Sequence, residues 1–403
     1  MNTPKAPEAR PPALPLKGVR VLDFGQYIAG PGAAMALADL GASVIKVEPI
    51  AGDQARHIGR YGESMIRAYN RGKQSIALDL KSEAGQQVAW RLIARSDVLI
   101  QNLRPGVVDK LGLGPGIVRE RFPRLIYLSI AGFGSLGPSR DRPGYDIAAQ
   151  AESGLMSVTG EPDRPPQKVG VPIIDAAAAQ LGAQAVLAAL YGREKTGVGE
   201  FLETSLLEVA MHLQAATWCE YLGGAPEPTR MGDGQPNNAP AAEVIATRDG
   251  HIVLSAYADD HWERLCRVMG REELVADARF CTNARRVENR AALKAVLREC
   301  FSGMSSEECV TLLGQRQIVA GAVRTYRQVL ESPDICESDI LVEALAADGT
   351  HYRALGLPYR LGNAPRATPP AAPLCGEDTD AVLAEAGYGE DEIRDLRREG
   401  TVA

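Results

Sequence analysis

Over the first 130 residues, short β-branched apolar runs alternate with longer stretches whose apolar positions recur at helical spacing. Val19-Arg-Val-Leu-Asp-Phe24 reads as a buried strand and GQYIAGPG as a glycine-broken turn. Residues 33–40 read as a small-residue helix, and Ala42-Ser-Val-Ile-Lys-Val47 as the next strand. Further strand signals fall at 75–80, 97–101 and 125–130, with helical stretches between them. This alternation predicts a parallel sheet in an open, Rossmann-like α/β fold, whose ligands lie beyond the carboxyl ends of the strands. Those ends carry residues 26–31, 79–81, 102–104 and 131–134.

The pattern changes further on. Val171-Pro-Ile-Ile174 reads as a β-branched run ending at Asp175, and four alanines then open a long apolar helix reaching about Tyr191. Gly197 and Gly199 break the chain before a short strand, and 201–225 reads as a mostly helical connector. From 226 to 325 a glycine-containing loop, a hairpin turning at Asp249-Gly250 and periodic helices predict a smaller α+β domain. Residues 326–403 return with strands and a final helix, and the Pro-rich 1–16 reads as a flexible lead-in to a large domain over 17–200.

Composition narrows the function. The 403 residues suffice for two cores, and a formal net charge of −7 argues against nucleic acid as a partner. No apolar run approaches the ~18–20 residues of a membrane span, and the N-terminus lacks a signal-peptide core. Seven cysteines with no CxxC pair predict reduced thiols in a cytoplasm, and five dispersed histidines without HExxH predict no metal site. Gly132-Phe-Gly-Ser-Leu-Gly137 matches GxGxxG, but Pro138-Ser-Arg-Asp-Arg-Pro143 follows it where a phosphate-cradling helix should start, so no nicotinamide is expected.

Asp175 carries two readings. It is either an N-cap of the long helix or a nucleophilic carboxylate at a strand end, steadied by the helix N-terminus. Around it, GYDIAAQAESGLMSVTG and VGVPIIDAAAA resemble the core signature of the class III CoA-transferases. The segments VRVLDFGQYIAGPGAAMALADLGASVIKVEP, YNRGKQSIALDLK, DVLIQNLRPGVVDKLGLG and APLCGEDTDAVLAEAGYGEDEI extend that likeness over 17 to about 400.

The resemblance implies that Asp175 is the nucleophile. With an ordinary pKa of about 4 it would be fully ionised at neutral pH. Ile28, Ala29, Leu78, Lys81, Asn102, Leu103, Arg104 and Lys110 match contacts to coenzyme A, the cofactor carried in as an acyl-CoA substrate. Tyr145 and Asp146 match pocket residues, and Gly232, Gly234 and Gln235 match an oxyanion-binding loop that is richer in glycine in formyl-CoA transferase. The partners implied are an acyl-CoA and a small carboxylic acid, with a lean to succinyl-CoA and a dicarboxylate. The return segment would complete the large domain, and two ring-like monomers would interlock as a homodimer. Two alternatives stand beside transfer. An α-methylacyl-CoA racemase shares the fold but needs a histidine where this chain has Tyr145, and a non-catalytic CoA-binding protein would need Asp175 only as a cap.

Overall fold

The computed structural model describes residues 14–346, 349–361 and 368–403. Six parallel strands form one sheet: β1 (Arg20–Asp23), β2 (Ser43–Glu48), β3 (Lys73–Ala77), β4 (Val98–Gln101), β5 (Ile126–Ala131) and β6 (Phe201–Ser205). Their order is β3-β2-β1-β4-β5-β6. The order reverses between β1 and β4, so the loops after these two strands diverge and leave a crevice at their carboxyl ends. Leu22, Ile76, Val98, Ile100 and Tyr127 are fully buried, as the strands of a sheet covered on both faces should be.

Helix α1 (Ala29–Asp39) begins inside the segment expected to be a turn. Pro31 tolerates this because a first-turn N–H has no partner within the helix. Helices α2 (Gly59–Tyr69), α3 (Glu83–Ile93) and α4 (Asp146–Glu152) follow, then α5 (Ile173–Thr196). The small residues of α1 and α5 let them pack tightly. A Cβ added at Gly32 would stand 2.8 Å from the Ala179 Cβ, and one at Gly182 would stand 3.1 Å from Leu128 of β5. With 24 residues and a mean hydropathy of 1.6 over its most apolar window, α5 is long and apolar enough to cross a membrane, contrary to the sequence expectation. Here it lies on α1 and β5 instead, burying Ala178, Ala179, Ala183, Val186 and Leu190.

Two further expectations are corrected. No strand precedes Asp175: Pro172 caps the helix from outside and Ile173 opens it, so the β-branched run is spent in a first helical turn that buries Ile174. A short apolar run cannot be told from a buried helix start by periodicity alone. The short strand expected after Gly199 is β6, but it joins the parallel sheet beside β5 instead of leading into a purely helical connector.

The chain divides into two packed units. The first holds 14–153, 170–213 and the described residues of 338–403. Its C-terminal helices α6 (Thr379–Glu385) and α7 (Glu390–Arg398) close over β3: the Ser75 N–H donates to Asp378 at 2.8 Å, and Asp79 N–H to the Thr401 carbonyl at 2.9 Å. Of the expected lead-in, residues 1–13 lie outside the described residues, while Leu16 is buried and donates its N–H to the Leu40 carbonyl. The second unit holds 154–169 and 214–337. It contains an antiparallel sheet of β7 (Glu243–Ala246), β8 (His251–Ser255) and β9 (Val319–Ala322), with Trp262, Phe280, Leu293, Leu297 and Phe301 in its core.

Candidate active site

Asp175 is the third residue of α5, and it does not cap the helix. That task falls to Asp146, at the start of α4. Its Oδ2 accepts from the Ile174 N–H at 2.7 Å and from the Asp175 N–H at 3.1 Å, while Gln150 donates to Oδ1. Two otherwise orphaned donors of the first turn are thereby satisfied by one carboxylate from another helix. The Asp175 carboxylate itself accepts no hydrogen bond among the described residues.

The electrostatics follow from that division. Burial, and then the Asp146 charge, push Asp175 from its ordinary 3.8 up to about 7. This corrects the expectation of a fully ionised group at neutral pH. A helix N-terminus favours negative charge by only ~0.3–1 kcal/mol, and here its nearest N–H groups are committed to Asp146. Desolvation and like-charge repulsion win.

Tyrosines gather around this helix end. Tyr145 immediately precedes α4, is 54% exposed, and meets Tyr27 edge-on, with ring centroids 5.7 Å apart and planes at 78°. Tyr69, at the end of α2, lies against the Gly32–Ala179 contact. Ala179 is one turn along α5 from Asp175, and burial and then the Asp175 charge raise the Tyr69 phenol. Tyr27 and Tyr69 were not legible as site residues. A positive backbone angle at Tyr27 and the proximity of Tyr69 to Asp175 leave no mark in one sequence.

The loops expected to bind CoA stand at the carboxyl ends of the strands. Ile28 and Ala29 are buried at the start of α1, and so present backbone rather than side chain. Asn102 spans the crevice between β1 and β4: its Oδ1 accepts from the Gln26 N–H at 2.8 Å and its Nδ2 donates to the Gln26 carbonyl at 2.9 Å. The Leu103 N–H donates to Gln101. Arg104, Lys110 and Lys81 are exposed, and their side chains have no partner among the described residues. Lys81 is not beside Arg104, since β3 and β4 are three strand spacings apart, roughly 14 Å. Leu78 is fully buried in the core and bridges Val402 through its backbone, so its side chain is not available to a ligand.

Beneath these loops lies an ionic network that the sequence did not reveal, because its charges sit inside strand patterns. Lys46 of β2 pairs with Asp53 at 2.9 Å and Lys73 of β3 with Asp23 at 2.7 Å, all four side chains being fully buried. Arg56 pairs with Glu48, which also accepts from the Ser75 hydroxyl. Burial pushes the Lys73 ammonium down to about 8 against the pull of Asp23. At Lys46 burial acts in the same sense, but Asp23, Asp53 and Glu48 outweigh it and raise the group.

The loop Gly232-Asp-Gly-Gln235 belongs to the second unit. Gly232 has φ +71° and donates its N–H to Gly160, and the Gln235 N–H donates to Ala241. Among the three expected oxyanion donors, only the Gly234 N–H is uncommitted within the described residues. Asp233 pairs with Lys294 at 2.6 Å, and Arg290 binds Glu243 and the Gln235 carbonyl. A Cβ at Gly234 would run into the Arg290 guanidinium, so a larger residue here would have to shift that side chain from its pair with Glu243.

The chain is similar to known proteins over nearly its whole length. The probable fatty acyl-CoA transferase Rv3272 of Mycobacterium tuberculosis is 37% identical over 93% of this chain and 98% of its own. The succinate–glutarate CoA-transferase of Agrobacterium fabrum is 34% identical over 92% and 95%. The crystal structure of Rv3272 in its orthorhombic form superposes with a TM-score of 0.83 at 36% identity, covering 93% of this chain and all of that one. The family model described as CoA-transferase family III matches residues 16–379, and with these relatives it establishes that the chain belongs to CoA-transferase family III.

Proposed function

We propose that this CoA-transferase moves CoA from an acyl-CoA to a free carboxylic acid through covalent intermediates on Asp175. The observation that carries the reading is a carboxylate in the first turn of α5 with no hydrogen-bond partner among the described residues, because Asp146 has taken the capping role. The ionised Asp175 attacks the thioester carbonyl. The C–S bond breaks, giving an aspartyl–acyl mixed anhydride and CoA thiolate. The thiolate attacks the Asp175 carbonyl of the anhydride and expels the first carboxylate, leaving an aspartyl-CoA thioester. The acceptor carboxylate then attacks that thioester to form a new anhydride, and the thiolate attacks its acyl carbonyl, releasing the new acyl-CoA and free Asp175. Each step exchanges one acyl bond for another, with no net change in protons or electrons.

In this scheme Arg104, Lys110 and Lys81 meet CoA phosphates, for which unpaired cations are suited. Tyr145 donates to a substrate carboxylate, and the Gly234 N–H is the candidate oxyanion donor. No histidine contributes to the electrostatics of Asp175, which favours transfer over racemisation. The reading extends to an interlocked homodimer that would cover exposed apolar side chains such as Tyr326, Leu355 and Val319. Succinyl-CoA with a small dicarboxylate is the first pair to assay, given the name of the Agrobacterium relative. Incubation with acyl-CoA and hydroxylamine should convert Asp175 to a hydroxamate detectable by mass spectrometry, and Asp175→Ala should lose transfer by several orders of magnitude. Full transfer by Asp175→Ala would refute the mechanism.

A further inference from the structure

The loop after β1 is held by more polar contacts than packing alone requires. Gly25 donates its N–H to Asp23 at 2.8 Å and accepts at its carbonyl from Lys46 Nζ at 2.8 Å. Both backbone groups of Gln26 are taken by Asn102. The Tyr27 N–H donates to Asp53 Oδ1 at 3.2 Å, and Asp53 is itself fixed by its buried pair with Lys46. The Pro31 carbonyl accepts from Lys73 Nζ at 2.8 Å. Side chains from β1, β2, β3, the loop after β2 and the loop after β4 thus clamp one short segment.

At the centre of the clamp Tyr27 has φ +61°. This is the left-handed region, which glycine enters freely and a large aromatic residue enters only under constraint. Strain of this kind persists where the surroundings over-determine it, and it clusters at functional sites. Here the strained backbone sends the Tyr27 ring edge-on to Tyr145 and its phenol to Gln54 Oε1 at 2.7 Å. Burial, and then the hydrogen bond and charge of Tyr145, push that phenol up to about 12, so it remains a donor across the working pH range.

We propose that Tyr27 is a positioning residue of the transfer site: the Lys46–Asp53 pair and Asn102 hold it left-handed so that its ring fixes Tyr145 for the substrate carboxylate. The proposal rests on the reading of Tyr145 as a pocket residue. A glycine at position 27 would suit φ +61° better than tyrosine does, so a residue serving the fold alone could be exchanged with little functional loss.

The test compares Tyr27→Gly, Tyr27→Phe, Tyr145→Phe and the Tyr27→Gly/Tyr145→Phe double variant in the full-length protein. The measurements are acceptor-acid kcat/KM, CoA affinity by calorimetry, and unfolding temperature. Tyr27→Gly should unfold within a few degrees of wild type, because relief of the left-handed strain offsets the lost ring, and its CoA affinity should be unchanged. Its kcat/KM should fall on the order of 10- to 100-fold, the size expected when a contact residue is misplaced by about 1 Å. Tyr27→Phe keeps the ring and should stay within about threefold of wild type. The double variant should be no worse than the worse single one, since both act through one phenol.

Losses that multiply in the double variant would overturn the proposal, as would a Tyr27→Gly defect that appears equally in CoA affinity. If Tyr145→Phe is impaired and Tyr27→Gly is not, the proposal falls and the pocket reading of Tyr145 stands. If Tyr145→Phe is silent, that reading falls and takes the proposal with it.

Discussion

Replacing Asp175 with asparagine should stabilise the protein at neutral and alkaline pH while destroying its chemistry. The unfolded chain releases the Asp175 proton near 3.8, whereas the folded protein holds it until about 7. Between those values the folded state binds more protons, so stability falls as pH rises through the window and the full penalty is present above it. A displacement of about three pH units corresponds to about 4 kcal/mol. That is an upper bound, since the carboxylate is only partly buried and water screens it. Asn has the same shape and no charge. Asp175→Asn should therefore match wild type at pH 4 and gain up to a few kcal/mol at pH 8. Urea melts of both proteins at pH 4, 6 and 8 read the difference directly. A gap that is constant across this range, or an Asn variant that is weaker at pH 8, would show that Asp175 carries no raised pKa.

Further outcomes follow from the site. The kcat/KM for acyl-CoA should rise with pH to a midpoint near 7, the value of Asp175, and fall about tenfold per unit below it. Asp146→Asn should move that midpoint downward without returning it to 3.8, because burial is the larger cause of the shift; an unmoved midpoint would remove Asp146 from the electrostatics. Arg104→Ala and Lys110→Ala should each raise KM for acyl-CoA with little change in kcat, and titration with CoA fragments should place the loss on the phosphates. Unchanged affinity in both variants would overturn their assignment.

How far the site could be read from sequence depended on the length scale of the signal. The parallel sheet was legible because β-branched runs at 19–24, 42–47, 97–101 and 125–130 are buried on both faces and read as continuous apolar strings. The short strand after Gly199 was legible, but its place beside β5 at the edge of the parallel sheet was not, because a half-buried edge strand shows no continuous apolar run. Asp175 was legible as a candidate, but the strand drawn before it was not there: Pro172 and two isoleucines serve equally well to open a helix. The ordinary pKa first assigned to Asp175 failed for a tertiary reason. Folding buries the carboxylate, and it also brings the charge of Asp146, 29 residues upstream, to the same helix end. The Lys46–Asp53 and Lys73–Asp23 pairs were hidden because a buried lysine inside a strand looks like an interruption until its partner is found.

The cap reading of Asp175 belongs instead to Asp146 at the same helix terminus, which leaves Asp175 for the nucleophilic role proposed above. A single carboxylate could not serve both. Hydrogen bonds from N–H groups to a charged acceptor contribute about 1.5–3 kcal/mol each, and a carboxylate receiving two of them is held ionised and made a poorer nucleophile. By giving those donors to Asp146, the fold leaves Asp175 desolvated, beside a negative charge and without a donor among the described residues. A value near 7 leaves about half of the groups ionised at neutral pH, a loss of about twofold, while the more basic carboxylate gains reactivity toward a carbonyl. A catalytic group is most effective when its pKa lies close to the working pH. Asp146 thus anchors the helix through two hydrogen bonds, and its charge adds to burial, the larger cause, in raising the neighbouring Asp175.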